Sequence, residues 1–272
     1  MQVEARGFKF DVVVEGPSDG PAVLLLHGFP QDHREFEPML PRLHAAGLRT
    51  YRYDQRGYAP GARPAEVSAY RLNEPVADAV AILDALNIER AHVIGHDWGA
   101  QVGWLLADGH ADRVHTLTAV SVPHPRALGL ALRVRASQRA RFAYMGVFRS
   151  PVAERLLLAR DGLVLRQMMK QIGSRATLYA DAMREPGRLT GGLNWYRALD
   201  REGLTGVGTT QVPTTYVWSD KDPVVGLTAA LRTADWVDAD YQLVALKGIS
   251  HWVPEEAPDA LADAALARIG GV

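Results

Sequence analysis

Two hydrophobic periods alternate along most of this chain: short unbroken apolar runs, and longer stretches whose apolar residues recur with helical spacing. Ala22-Val23-Leu24-Leu25-Leu26 ends at His27-Gly28 and has the pattern of a strand buried on both faces. Before it, Val3–Arg6 and Phe10–Glu15 predict an opening hairpin that turns at Arg6-Gly7. After it come a helix over 33–46 stopped by Gly47, a strand over Leu48–Tyr53 and the turn Asp54-Gln55-Arg56-Gly57. A helix over 75–86 follows, with Pro75 suited to its first turn. Ala91–Ile94 predicts a strand, Ala100–Leu106 a helix and His115–Val122 another strand. Strands that alternate with helices in this way imply a doubly wound, mostly parallel sheet of the α/β class.

The rhythm changes after Pro123-His124-Pro125. Residues 126–211 carry long helical patterns and no convincing buried strand, with breaks at Gly146, Ser150-Pro151, Gly162, Gly173, Pro186-Gly187 and Gly191-Gly192. Alternation resumes with a strand over Thr214–Trp218, a helix over 226–237, a strand over Tyr241–Leu246 and a helix over 258–269. The chain thus divides into an α/β core, residues 1–125 and 212–272, and a helical insertion over 126–211.

Composition narrows the classes. At 272 residues the chain is ample for one such domain, and its formal charge of −1 argues against a disordered or generally nucleic-acid-binding protein. It has no cysteine, which excludes disulfides, thiolate-held metals and a thiol nucleophile. Met1–Gly7 lacks the basic start and apolar core of a signal peptide, and no apolar run is long enough to span a membrane. The expectation is a soluble cytoplasmic protein, monomer or homodimer, with neither a membrane nor a nucleic acid as partner. Residues 126–202 hold fourteen arginines and Lys170 against six carboxylates, about +9. The simplest reading of that excess is the solvated face of several amphipathic helices.

Candidate chemistry gathers where the predicted strands end. Gly95-His96-Asp97-Trp98-Gly99 lies between the Ala91–Ile94 strand and the Ala100–Leu106 helix, the strand–turn–helix setting of a nucleophile elbow. Such elbows commonly carry serine; here the central residue is Asp97. A carboxylate is ionised at neutral pH and can displace a leaving group at a saturated carbon, leaving an alkyl ester on the protein. Gly-x-Asp-x-Gly also occurs in ordinary turns, so the reading needs further groups. His251, just past the last predicted strand, suits a base that activates water against the ester. Asp222, past the Thr214–Trp218 strand and beside Pro223, suits the acid that orients the imidazole; Asp220 competes with it from two residues earlier. The order nucleophile, acid, histidine is that of the α/β-hydrolase arrangement. Backbone N–H groups of Phe29 and Trp98 are placed to hold an oxyanion. His96 precedes the nucleophile on a strand and is expected to point away from it. The i, i+4 pair His92 and His96 fails as a metal site, because that spacing is a helix rule.

With these residues in place the chain resembles the epoxide hydrolases of the α/β-hydrolase fold, the soluble, bacterial-type class with a helical cap. The resemblance runs through His27-Gly28-Phe29-Pro30, Asp54-Gln55-Arg56-Gly57-Tyr58, the elbow, Ser121-Val122-Pro123-His124-Pro125, Leu193-Asn194-Trp195-Tyr196-Arg197 and Ser250-His251-Trp252. It implies two cap tyrosines, Tyr196 and Tyr144, whose hydroxyls hold and protonate an epoxide oxygen. It also implies a substrate set of epoxide and water, with no metal or organic cofactor. Phe29, Trp98, Met145, Phe148, Trp195 and Trp252 are candidates both for an apolar pocket lining and for plain core; adjacency to the nucleophile favours Trp98 as lining. Gly146 and Arg149 depart from the bulkier apolar or amide residues common at those positions, a change expected at the pocket mouth. The nearest rival, a haloalkane dehalogenase, shares the Asp–Trp elbow but has no use for the two tyrosines. A non-catalytic binding protein on this fold has no need of the whole set.

Overall fold

The computed structural model describes residues 1–200 and 206–271. Eight strands form one sheet: β1 (Gln2–Ala5), β2 (Phe8–Glu15), β3 (Ala22–Leu26), β4 (Arg49–Tyr53), β5 (Ala91–His96), β6 (Val114–Val120), β7 (Thr214–Ser219) and β8 (Tyr241–Leu246). Their spatial order is β1-β2-β4-β3-β5-β6-β7-β8. β1 and β2 pair antiparallel, as do β2 and β4, and every pairing from β4 onward is parallel.

The apolar runs are explained by two buried faces. Leu24 and Leu26 join one core with Val93, Leu117 and Tyr216, while Val23 and Leu25 join the other with Ile94, Val120 and Val217. Successive strand residues point to opposite sides, so a strand covered on both has no polar position to offer. The first face is covered by α2 (Asn73–Ala85) and α3 (Trp98–Gly109), through Ala79, Ile82, Val102 and Leu106. The second is covered by Phe36, Met39 and Leu43 and by the C-terminal helix Pro258–Ile269, through Leu261 and Ala265.

Two predicted helices are broken. The span 33–46 is a 3₁₀ segment, His33–Met39, followed by the short helix α1 (Leu40–Ala45). Pro38 and Pro41 lack the N–H an α-helix would use there, and only the first turn tolerates that loss. Likewise 226–237 is an α-helix over Leu227–Arg232 that tightens to 3₁₀ at Thr233–Trp236.

Between β6 and β7 the described residues hold helices and no strand: α4 (Pro125–Val134), α5 (Ala136–Arg141), α6 (Tyr144–Arg149), α7 (Ala153–Met168), α8 (Ser174–Ala182) and α9 (Arg188–Ala198). Residues 201–205, within the expected insertion, lie outside the described residues. α7 is interrupted at Ala159–Gly162, where Arg160, Asp161 and Gly162 take positive φ. α9 is tied down onto the sheet's edge loops: Trp195 Nε1 donates to the Arg56 carbonyl at 2.9 Å, and Arg188 reaches Asp32 at 2.8 Å and Asp54 at 3.1 Å. Among the described residues no helix is long and apolar enough to cross a membrane.

The crossing of β5 into α3 is the tightest point of the fold. A Cβ on Gly99 would sit 1.8 Å from the Leu26 carbonyl oxygen, and one on Gly95 would sit 2.3 Å from the Gly99 carbonyl oxygen. Backbone atoms on both sides leave nowhere to move. Gly99→Ala is therefore expected to cost about 3 kcal/mol or more, at the upper end of overpacking effects. Urea unfolding measures it, and a loss below about 0.5 kcal/mol, the range of neutral surface changes, would contradict this packing.

Candidate active site

Asp97 sits at that crossing with φ 51° and ψ −118°, a left-handed backbone that a non-glycine residue adopts at a cost of about 1–3 kcal/mol. The strain lifts its side chain off the strand end while the Trp98 amide opens α3. Asp97 Oδ1 accepts from the Phe29 N–H at 3.0 Å, and Asp97 Oδ2 lies 3.2 Å from His251 Nε2. On the far side of the ring, His251 Nδ1 is 2.9 Å from Asp222 Oδ2. The other Asp222 oxygen accepts from the Val224 and Val225 amides at 2.6 and 3.1 Å, which orients the carboxylate. Asp220 is exposed and caps the Gly248 amide at 2.7 Å, so it is a turn residue and Asp222 is the carboxylate that meets the histidine.

Charge balance in this buried row settles its protonation. Burial alone would lower the His251 pKa; Asp222 and then Asp97 overcome it and push the imidazole up to about 10. Burial would likewise raise Asp97, but the hydrogen bond and charge of His251 hold its carboxyl below the usual range. The imidazole between the two acids is thus held toward its charged form.

His96 points to the opposite face, as expected from strand alternation. Its Nδ1 lies 3.0 Å from Glu35 Oε2, and its Nε2 donates to the His251 carbonyl at 2.9 Å. Ser121 Oγ donates to the same carbonyl at 2.8 Å, so two side chains clamp the histidine's backbone. Neither contact had a sequence signal, since Glu35 and Ser121 are remote in the chain. His92 is away from the site, bonded to Thr116 at 2.8 Å.

A cavity of about 40 Å³ opens above Asp97, walled by Trp98, Gln101, Tyr144, Met145 and Tyr196. Val122, Leu128, Phe142, Leu199 and Val224 complete an apolar lining. The Tyr144 and Tyr196 rings meet edge to face at 6.2 Å, and Tyr196 lies 5.0 Å from Trp98. Burial, reinforced by the Asp97 charge, raises both phenols above the ordinary tyrosine pKa, so each remains a proton donor. The Trp98 indole N–H is buried and interacts with the Tyr196 hydroxyl.

Four expected lining residues do not line this cavity. Phe29 and Phe148 pack behind the Tyr196 ring, with centroids at 5.4 and 5.0 Å. Trp195 turns away because its N–H is committed to the Arg56 carbonyl, and Trp252 because its N–H donates to the Met168 carbonyl at 3.1 Å. Nor does Arg149 sit at a pocket mouth: it staples α6 to α9 through the Tyr196 and Leu199 carbonyls at 2.7 and 2.9 Å. Of the lining residues that sequence reasoning missed, Gln101 was accessible, because i+4 from Asp97 shares its helix face. Val122 and Val224 follow strand ends and carried the same weak signal. Asp32, His33 and Asp54 bring three potential metal ligands together, but Arg34 and Arg188 already hold those carboxylates in ion pairs.

This chain belongs to the α/β hydrolase fold family, which it matches over residues 21–258, and within that fold it stands with the epoxide hydrolases. It is 32% identical to Epoxide hydrolase A of Mycobacterium tuberculosis, across 99% of this chain and 97% of that protein. It is 30% identical to the AB hydrolase superfamily protein YfhM of Bacillus subtilis, across 94% and 92% of the two chains. Among solved structures, Epoxide Hydrolase A from Mycobacterium thermoresistibile superposes with a TM-score of 0.84 at 28% identity, covering 100% of this chain and 98% of that one. An epoxide hydrolase from hot-environment metagenomes superposes at 0.87 with 27% identity over the same shares.

The charge balance makes a spectroscopic prediction. NMR of the imidazole should find His251 charged at neutral pH with a pKa near 10. Asp97→Asn removes one of the two carboxylates that hold the proton, so the pKa should fall. A pKa that stays put in that variant would show that Asp222 alone sets it.

Proposed function

We propose that this protein converts neutral, largely apolar epoxides to vicinal diols through a covalent ester on Asp97. The observation that carries the reading is the cavity itself: a buried carboxylate on its floor faces two neutral phenols on its walls. An epoxide carbon is open to backside displacement, but the leaving oxygen is a basic alkoxide. Tyr144 and Tyr196 hydrogen-bond that oxygen and supply a proton as the C–O bond breaks. Asp97 Oδ1 is held on the Phe29 amide, where the oxyanion later develops, so Oδ2 parts from His251 Nε2 and forms the bond to carbon. An apolar lining favours uncharged substrates, because a charged one would lose its hydration without gaining a partner.

Ester formation then switches the histidine. Asp97 loses its charge, and with it one of the two carboxylates that keep His251 protonated. The proton that His251 sheds replaces the one the phenol gave to the alkoxide. Neutral Nε2, oriented by Asp222, next takes a proton from water, and the hydroxide adds to the Asp97 carbonyl carbon. The Phe29 and Trp98 amides hold the oxyanion. Collapse expels the diol as an alkoxide, which takes the proton of the added hydroxyl, and leaves Asp97 as a carboxylate beside His251, which keeps the proton taken from water. The Trp98 N–H in the cavity wall would also suit a halide leaving group, which is the observation behind a dehalogenase reading. The two phenols favour the epoxide.

Styrene oxide should give the diol, and 1-bromobutane should release no halide; the reverse pattern would replace this reading with the dehalogenase. With enzyme in excess, a single turnover in ¹⁸O-water should label Asp97 rather than the diol, and label in the diol alone would mean direct attack by water. His251→Gln should accumulate a mass adduct equal to the epoxide. Tyr196→Phe should slow ring opening by roughly 10²-fold, the lower range for a general acid. Unchanged ring opening would remove Tyr196 from the mechanism.

A further inference from the structure

Glu255 stands four residues beyond His251, in the single helical turn Val253–Glu256, with its side chain 1% exposed. It touches none of the reacting groups. Its neighbour Glu256 turns back on its own loop and accepts from the Ser250 amide at 3.3 Å. Glu255 points outward along the helix turn and gathers two other segments. One oxygen accepts from Gln31 Nε2 at 2.5 Å; the other accepts from Arg175 Nε at 2.5 Å and from the Tyr179 hydroxyl at 2.6 Å. Arg175 Nη2 also donates to that hydroxyl at 2.9 Å and to the Arg34 carbonyl.

Three pieces of the site converge on this carboxylate. Gln31 lies two residues after Phe29, whose amide is the oxyanion donor. Glu255 itself belongs to the loop that carries His251. Arg175 and Tyr179 lie on α8, in the helical layer between β6 and β7. Tyr144 and Tyr196, on other helices of that layer, are anchored elsewhere, by Trp195 on the Arg56 carbonyl, Arg188 on Asp32 and Arg149 on the Tyr196 carbonyl.

We propose that Glu255 is a positioning residue: it latches α8 onto the oxyanion loop and the histidine loop together, and so governs hydrolysis of the Asp97 ester more than its formation. This rests on the epoxide reading above. Ring opening needs Asp97 and the two phenols, and Glu255 reaches Asp97 only at second hand, through the Phe29 amide and His251, whose bonds to Asp97 are already made in the resting site. Hydrolysis needs His251 and the Phe29 amide in register, and a small misplacement of such groups is costly.

Arg175→Met removes the latch from the α8 side, and Gln31→Met removes it from the oxyanion side, each leaving Glu255 in place. Stopped-flow tryptophan fluorescence with styrene oxide separates the two half-reactions. Both variants should slow ester hydrolysis at least about tenfold while ester formation stays within about twofold. Equal slowing of both steps, or no slowing of hydrolysis, would overturn the proposal. Amide hydrogen exchange supplies a readout that needs no turnover. Arg175→Met should speed exchange at 28–31 and 251–255 as well as around 175, and a change confined to α8 would show that no latch exists. If the unaltered protein forms no ester at all, the epoxide reading fails, and the exchange experiment still decides whether the latch is real.

Discussion

A histidine shared between two buried carboxylates is the interaction on which the rest of this site depends. Raising the imidazole to about 10 from its ordinary 6.5 amounts to roughly 5 kcal/mol of preference for the charged form. That preference depends on Asp97 and Asp222 both lying within reach, at 3.2 and 2.9 Å. It lets the Asp97 carboxylate remain charged in a buried setting, where an unpaired one would be protonated. It also makes the base conditional. In the proposed reaction, alkylating Asp97 erases one of the two charges, and the same imidazole that stabilised the nucleophile becomes able to accept a proton from water.

The fold's geometry is arranged around keeping that row in line. Asp97 is held in a strained backbone by an elbow too tight for any side chain at Gly95 or Gly99. The His251 carbonyl is held by His96 and Ser121, and the Asp222 carboxylate by two amides of its own loop. These restraints come from the ends of β5, β6 and β7, which is how a parallel sheet brings together groups far apart in sequence. Above the row, the phenols are kept neutral by the same burial that the ion pair below them has to overcome. One low-dielectric setting therefore holds neutral phenols and a charged carboxylate side by side without a proton passing between them.

The aromatic residues divide into two roles that composition alone does not separate. Trp98, Phe142, Tyr144 and Tyr196 face the cavity, whereas Phe29 and Phe148 pack behind the Tyr196 ring and Trp195 and Trp252 turn away. What sorts the two tryptophans is where each N–H finds a carbonyl. A buried indole follows its hydrogen bond, and Arg56 and Met168 offer theirs outside the cavity.

Much of the architecture was legible in the chain because burial on two faces writes itself as unbroken apolar runs. The parallel sheet, the elbow, the order of Asp97, Asp222 and His251 and the helical character of the segment after β6 all follow from local period and turn chemistry. The broken helices at 33–46 and 226–237 were not legible, since proline spacing and end-tightening act within a pattern that still looks helical. Asp220 and Asp222 were separable only weakly by position; the fold decides between them by pointing one at a backbone amide and the other at an imidazole. Glu35, Gln101 and Glu255 had little or no signal, because their roles are contacts across 61 to 224 residues of chain or a cavity wall that exists only once the helices pack. Sequence alone determined which chemistry-bearing groups exist and which strand ends carry them. Tertiary structure decided which of those groups meet, which rings face the cavity and what charge each group bears, because all three depend on distances and burial that no local pattern encodes.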